Sequence, residues 1–368
     1  MGSADPTVCF ITHPFTAAKD TGRGNDRYTY ELLSNLGALG IRTALVDPGY
    51  YNSLPKALLK EMVYGLKLAG VSGDVYHAIC PAGAKNAVVL RKHPLITTIH
   101  DMIPFHFGTD FEHPILYKYH RLCTRLSAIN SDRIIVPFES IKNELVSRFH
   151  VEATKIEVIR YGIDHSVFRP MPDVRDGTGV GKRIVFVGGV TRAHGVDVLI
   201  EAFSAVAREI GDVQLTLGGK VIGGKRKSDG EYLKGLPHRL GVGDKVTFLG
   251  YVPEGQLPAL YNRADVVVFP SSYGFGLPAV EAMACGTPAI AAATLDGPDG
   301  YGDAALLVEP RNVRQLAEAL MRILSDGKLR ADMIGKGLKQ AGLFRWDAMA
   351  KSVASLYART LNGEDGGG

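Results

Sequence analysis

Residues 266–286 read Val-Val-Val-Phe-Pro-Ser-Ser-Tyr-Gly-Phe-Gly-Leu-Pro-Ala-Val-Glu-Ala-Met-Ala-Cys-Gly. The run Val266–Phe269 is apolar and β-branched, as a strand covered on both faces must be. Gly274 and Gly276 break it, Pro278 opens a helix, and Gly286 follows the end of that helix. Proline suits a first helical position because its missing N–H would have no partner there, and glycine takes the left-handed conformation that closes a helix. The stretch is therefore a strand, a glycine turn and a helix. Ala282 and Ala284 let the helix lie close to the sheet. The amides near Gly276 and Leu277 lack a helical acceptor, so together with the helix dipole they form a site for phosphate. Glu281 lies one turn further on, where a carboxylate can accept from the vicinal hydroxyls of a ribose.

Other readings share these residues. Any α/β protein can contain such a turn. Gly274-x-Gly276-x-x-Ala279 also fits the loose dinucleotide-binding pattern, with Asp296 as its ribose acid. That pattern falls late in the chain, and Asp296 lies beyond its strand rather than at the strand's end. A nucleophile elbow is excluded, because no Gly-x-Ser-x-Gly occurs at this turn.

The same alternation extends in both directions. Strands are predicted at Val8–Thr12, Thr43–Val46, Val75–Ala78, Leu95–Ile99, Arg133–Val136 and Ile156–Ile159. A second series is predicted at Ile184–Val187, Gln214–Leu217, Val246–Phe248, Val266–Phe269, Ala289–Ala292 and Ala305–Val308. Helix-period segments lie between them, among them Tyr28–Leu39, Ile141–Phe149, Val196–Ile210, Gln256–Ala264 and Val313–Leu324. Alternation of this kind implies α/β architecture, with parallel sheets covered by helices. The turn-rich segment Arg169–Lys182 separates the two series. Two doubly wound domains are expected, with ligands beyond the carboxyl ends of their strands and a shared ligand in the cleft between them.

Bulk properties agree. A chain of 368 residues suits two cores better than one. Hydrophobic residues make up 46% and charged residues 22%, as in soluble globular proteins. The net charge of +4 does not mark a nucleic-acid binder, and no basic run is interleaved with aromatics. The four cysteines, Cys9, Cys80, Cys123 and Cys285, share no CxxC spacing and accompany no histidine cluster, which argues against a zinc site or a disulfide framework. No metal and no cofactor is expected. No stretch has membrane-spanning length and no signal peptide is apparent, so a cytoplasmic protein is expected. Peripheral contact with an anionic membrane face is a further expectation. It rests on the basic, amphipathic segments Pro55–Leu68 (Lys56, Lys60, Lys67) and Tyr117–Arg125 (Lys118, Arg121, Arg125).

The run Phe269–Pro288 resembles the donor-binding signature of the large retaining GT-B glycosyltransferase family, the mannosyl- and glucosyltransferase-like "glycosyl transferases group 1". That signature has a glutamate, then Gly-Phe-Gly-Leu-Pro, then a second glutamate. Val158–Asp164 with Phe168, Phe248–Pro253, Gly302–Ala305 and Phe344–Trp346 resemble further family segments, so the likeness covers most of the chain. It implies a GT-B fold of two Rossmann-like domains facing a central cleft. Residues 1–172 would bind the acceptor, 173–343 the nucleotide sugar, and 344–362 would form a helix returning to the first domain. It implies a metal-independent retaining transfer of a hexose, mannose or glucose in type, from a GDP- or UDP-linked donor to a glycan, lipid-linked or small-molecule hydroxyl.

Roles carry over by position. Glu281 would hold the donor's ribose, and Gly274, Phe275, Gly276 and Leu277 its sugar and diphosphate. His100 and Asp101 match the family's histidine–aspartate pair, with His100 facing donor sugar and acceptor. Gly24 belongs to the first glycine loop, which is two residues longer here. Three positions depart from the pattern. Tyr273 replaces the first glutamate. Gly189 and His194 stand where the family has an arginine and a lysine. Arg192 in the same loop is the candidate replacement cation at the reacting diphosphate, with Lys220 a further source of charge. These departures keep open a second possibility, a catalytically impaired relative that binds a nucleotide sugar or serves as a partner subunit.

Overall fold

The computed structural model describes residues 7–12, 24–47, 63–106, 114–171, 174, 181–221, 228–272, 274–294 and 296–364. The chain divides into two compact units. One comprises Met1–Gly162 together with Arg345–Gly368, the other Ile163–Phe344.

The first unit contains strands β1 (Thr7–Ile11), β2 (Arg42–Val46), β3 (Val75–Ala78), β4 (Leu95–Thr98), β5 (Arg133–Val136) and β6 (Ile156–Val158). They form one parallel sheet in the order β2-β1-β3-β4-β5-β6. Its helices are α1 (Gly24–Ala38), α2 (63–69), α3 (Pro81–Val89), α4 (Ile103–His106), α5 (Pro114–Asn130) and α6 (Glu139–Phe149), closed by a last helix at Trp346–Leu361. The alternation of β1 explains why its whole sequence is apolar. Val8 and Phe10 pack on one face with Tyr28, Leu32 and Leu36 of α1 and with the last helix. Cys9 and Ile11 pack on the other with Tyr64, Leu68, Ala84 and Ala87.

The second unit contains β7 (Lys182–Val187), β8 (Val213–Gly218), β9 (Val246–Gly250), β10 (Val266–Phe269), β11 (Ala289–Ala292) and β12 (Ala305–Val308). These too are parallel, in the order β12-β11-β10-β7-β8-β9. Its helices are α7 (Val196–Ile210), α8 (Ser228–Arg239), α9 (Leu257–Arg263), α10 (Leu277–Ala284), α11 (Gly297–Tyr301), α12 (Val313–Ser325) and α13 (Gly327–Ala341); the last helix of the first unit is then α14. On one face of the sheet α7 and α12 bury Leu199, Phe203, Leu316 and Leu320 against Ile184, Phe186, Leu215 and Val268. All twelve predicted strands are present, with ends moved by a residue or two.

Among the described residues no helix is long and apolar enough to cross a membrane. The four cysteines are free thiols.

Candidate active site

β7 and β10 lie side by side although β8 and β9 come between them in sequence. The strand order reverses there, and connections leaving the carboxyl ends part in opposite directions, which makes room for a ligand. The two loops that leave this point are 188–195 and 270–276, and they touch. Gly195, in the left-handed conformation (φ 72°) at the N-cap of α7, lies so close to the Pro270 carbonyl that a Cβ there would collide with it.

The first loop begins on bare backbone. Gly188 donates its N–H to the Gly218 carbonyl (2.9 Å), and Gly219 donates to Gly250 (2.7 Å). A Cβ on Gly219 would collide with the Gly188 carbonyl, so the ends of three strands are drawn together by glycine. Gly189 follows without a side chain. Val190 donates to the Lys220 carbonyl (3.0 Å), and the Lys220 ammonium lies 5.6 Å from the centroid of the Tyr251 ring. Thr191 Oγ1 accepts the His194 N–H (3.1 Å) and lies 2.7 Å from His194 Nδ1. Burial lowers the pKa of His194 below the usual imidazole value. A neutral ring therefore stands where the family resemblance implies a lysine.

Arg192 is held by a residue that sequence reasoning missed. Its Nε donates to Asp197 Oδ2 (3.2 Å), and its guanidinium lies 5.3 Å from the centroid of Tyr232. Asp197, in the first turn of α7, is 3% exposed. A second arginine grips the same carboxylate: Arg311 donates to both its oxygens (2.9 and 2.8 Å) and to the Arg192 carbonyl (3.1 Å).

In the second loop Tyr273 lies outside the described residues. Gly274 is left-handed (φ 68°). α10 begins at Leu277, one residue before the proline, with Gly276 as N-cap. The Gly276 N–H is not free as expected, because it donates to Tyr301 Oη (3.0 Å). Burial pushes that phenol's pKa above the ordinary range, so the tyrosine stays neutral. Phe275 turns into the unit, 4.8 Å from the Tyr301 ring and stacked at 5.5 Å on Phe344. Its ring anchors the turn. The first turn of α10 carries no acidic side chain that would oppose an anion. Glu281 is 3% exposed and accepts from Tyr261 Oη (3.1 Å).

In the first unit, Gly24 is the first residue of α1, and the loop before it lies outside the described residues. His100 follows β4. Its Nε2 lies 2.8 Å from the Ile79 carbonyl, which can only accept, and its Nδ1 lies 2.9 Å from Tyr161 Oη. Burial lowers its pKa to about 4, so the ring is neutral, with its proton on Nε2. Both nitrogens are engaged, and the ring is further fixed by the edge of Tyr28 (4.8 Å). Asp101 Oδ1 accepts the Ile103 N–H (3.0 Å), as an acid at the start of a helical turn does. Below this end of the sheet lies a buried polar chain. His77 faces Tyr357 Oη (2.6 Å) at Nδ1 and Thr98 Oγ1 (2.8 Å) at Nε2, and Thr98 meets Tyr28 Oη (3.3 Å). Its members are far apart in sequence, and no local pattern marked them.

Among the described residues no group of three or more His, Cys, Asp or Glu side chains is placed to hold a metal ion.

Residues 178–340 match the family model "Glycosyl transferases group 1", and residues 73–167 match "Glycosyltransferase Family 4". The D-inositol 3-phosphate glycosyltransferase of Segniliparus rotundus is 31% identical over 280 residues, covering 73% of this chain and 62% of the relative. That of Corynebacterium efficiens is 29% identical over 357 residues, covering 90% of this chain and 84% of the relative. The chain spans 62% and 61% of the first two curated relatives it matches. The sucrose-phosphate synthase structure from Thermosynechococcus elongatus superposes with a TM-score of 0.80 at 24% identity, covering 98% of this chain and all of that one. The Anabaena HepE structure in complex with UDP-glucose superposes with a TM-score of 0.75 at 18% identity, covering 97% of this chain and 100% of that one. With two parallel six-stranded sheets, these matches and the glycine turn before Glu281, the chain belongs to the glycosyl transferases group 1 family and has the GT-B fold.

Proposed function

We propose that the protein is a glycosyltransferase that moves a hexosyl group, mannose or glucose in type, from a nucleoside diphosphate sugar to a hydroxyl acceptor. The transfer retains the anomeric configuration and needs no metal ion. The observation that carries the reading is the meeting of loops 188–195 and 270–276 at the strand-order reversal of the second unit. The first loop carries Arg192, and the second leads into α10, which holds the buried carboxylate Glu281. The relatives support it: D-inositol 3-phosphate glycosyltransferases in sequence, and a fold neighbour in complex with UDP-glucose.

In this reading residues 173–343 bind the donor, residues 1–172 bind the acceptor, and 344–362 complete the acceptor domain. Glu281 accepts from the ribose hydroxyls, with Tyr261 fixing its orientation. The Leu277 amide, the α10 dipole, Arg192 and Lys220 face the diphosphate, and the turn Gly274–Gly276 brings backbone close to the donor sugar. As the bond from the anomeric carbon to the diphosphate lengthens, negative charge grows on the leaving oxygen, and a fixed cation and helix N-terminus stabilise it without reorganising. The acceptor hydroxyl attacks from the face the diphosphate leaves, passing its proton to that oxygen, and this preserves the configuration. The ring of His100 is neutral and both its nitrogens are engaged, Nε2 by the Ile79 carbonyl and Nδ1 by Tyr161 Oη, so it serves as a fixed neutral group of the acceptor domain rather than as a free base; Asp101 holds the turn that carries it.

Thermal shift with UDP-, GDP- and ADP-linked hexoses, followed by nucleotide release with candidate acceptors, tests the proposal. A ligand that binds the native state raises its melting temperature by mass action. No shift with any donor would sink it. Binding without turnover would favour the second possibility, a partner subunit, which the neutral His194 and the Asp197-bound Arg192 support.

Cytoplasmic location with peripheral membrane contact remains part of the proposal. On α5, Ile115, Leu122 and Ile129 are exposed at seven-residue spacing beside the exposed Lys118 and Arg125. The other basic segment, Pro55–Leu68, falls mostly outside the described residues. Co-sedimentation with anionic vesicles at low salt is the check, and absence of binding removes the idea.

A further inference from the structure

Asp197 is a nearly buried carboxylate with two guanidinium partners. One arginine would suffice to neutralise it, and an arginine alone with a carboxylate settles into a two-bond fork. That fork is already occupied, by Arg311, whose two terminal nitrogens reach the two oxygens at 2.9 and 2.8 Å. Arg192 is left one contact, through Nε at 3.2 Å. Its side chain is 50% exposed, and among the described residues its terminal nitrogens meet no carboxylate. Nε and the Tyr232 ring fix the plane of the guanidinium. The trio carries one net positive charge, and of its two arginines Arg192 is the one whose terminal nitrogens do not bond Asp197.

Arg311 also holds the main chain of the loop, donating to the Arg192 carbonyl at 3.1 Å. It does so from a left-handed backbone (φ 64°), which residues with a side chain seldom adopt without surrounding contacts to hold them there. The next residue, Asn312, caps α12 by accepting the Gln315 N–H (3.0 Å), so Arg311 projects from a fixed helix start. Glu201, one turn along α7 from Asp197, adds its field at Arg311.

We propose that Arg311 is a positioning residue of the donor site: by occupying both oxygens of Asp197 it keeps the terminal nitrogens of Arg192 turned outward for a nucleoside diphosphate. The inference rests on the reading of the second unit as donor-binding. Without Arg311, Arg192 swings onto Asp197, and its charge is spent inside the protein. Removing the Asp197 charge as well removes the reason to swing.

The experiment measures UDP, GDP and ADP affinity by calorimetry on the full chain, with melting temperatures recorded alongside. The variants are Arg311→Met, Arg311→Lys and the double Arg311→Met/Asp197→Asn. Arg311→Met is expected to bind the diphosphate that wild type prefers about tenfold more weakly, and the double variant to recover to within about threefold of wild type. A merely structural role for Arg311 predicts no recovery. A folded Arg311→Met that binds like wild type overturns the inference, and so does a double variant as weak as the single. If Arg311→Met does not fold, Arg311→Lys replaces it, because one ammonium cannot fill both oxygens; weakened binding there with recovery in the double variant supports the inference, and unchanged binding overturns it. If wild type binds none of UDP, GDP and ADP, the donor-site reading fails, and this inference fails with it.

Discussion

His77 has no exposed surface and faces a hydroxyl at each ring nitrogen. Burial holds its pKa down at about 3, against an ordinary value of 6.5. Between those values the unfolded chain takes up a proton that the folded chain refuses, so this contribution is complete above pH 6.5 and is lost as pH falls toward 3. The share of the slope due to His77 is about 1.4 kcal/mol per pH unit in that window, and His100 in the same unit, lowered to about 4, adds a like share between pH 6.5 and 4. Denaturant unfolding of the first unit at several pH values measures it. His77→Gln should lower the slope by about that share and leave the part due to His100, and an unchanged slope would show that His77 does not contribute. Glu281 offers a second residue-scale test. Glu281→Ala removes the proposed ribose acceptor and leaves the buried Tyr261 hydroxyl without it. Donor affinity should fall about tenfold or more, and stability by about 1–3 kcal/mol. Glu281→Gln keeps an oxygen for Tyr261, so it should spare stability while still weakening the donor. Equal donor binding in all three proteins would remove Glu281 from the site.

Between strand and helix, glycines decide how the second loop is built. A Cβ at Gly300 would land in the Phe275 ring, which stacks on Phe344 and packs at a tilt against Tyr301. Gly300→Ala should therefore displace that ring and cost about 1–3 kcal/mol. Gly255, where an added Cβ meets nothing within 4 Å, is the control, and Gly255→Ala should leave unfolding nearly unchanged. Denaturation midpoints of the two variants settle it, and equal midpoints would show that the ring has room to move. The strands were legible in the sequence because parallel strands covered on both faces read as unbroken apolar runs, as Val8–Ile11 and Val266–Phe269 do. α10 was legible through Pro278 and Gly286, though a helix can start one residue before its proline, and here it does. What occupies the Gly276 amide was not legible, since Tyr301 arrives from another helix. Nor was Arg311, because a loop side chain that reaches Asp197 leaves no period in the sequence.

At the scale of the whole molecule, the first unit is built from two separated pieces of chain. α14 supplies Trp346, Met349, Ala350, Val353, Leu356 and Tyr357 to the core that holds Val8, Phe10 and Leu32. A Cβ on Gly162 would collide with Trp346, so the end of the first piece is shaped to the start of the second. Arg359 adds a bond to Glu157 (2.9 Å). Burying six such side chains is worth on the order of 10 kcal/mol, comparable to the stability of a whole domain. Truncation after Phe344 should abolish cooperative unfolding of the first unit in calorimetry while the transition of the second survives. A truncated chain that keeps both transitions would show that α14 is dispensable. The same interruption sets a timetable for synthesis. A ribosome that has finished Gly162 must make about 180 more residues before Trp346 emerges, on the order of 10–35 s at common elongation rates. Through that interval the second unit can complete itself, while the first waits with the seat of its missing helix open to solvent and to chaperones.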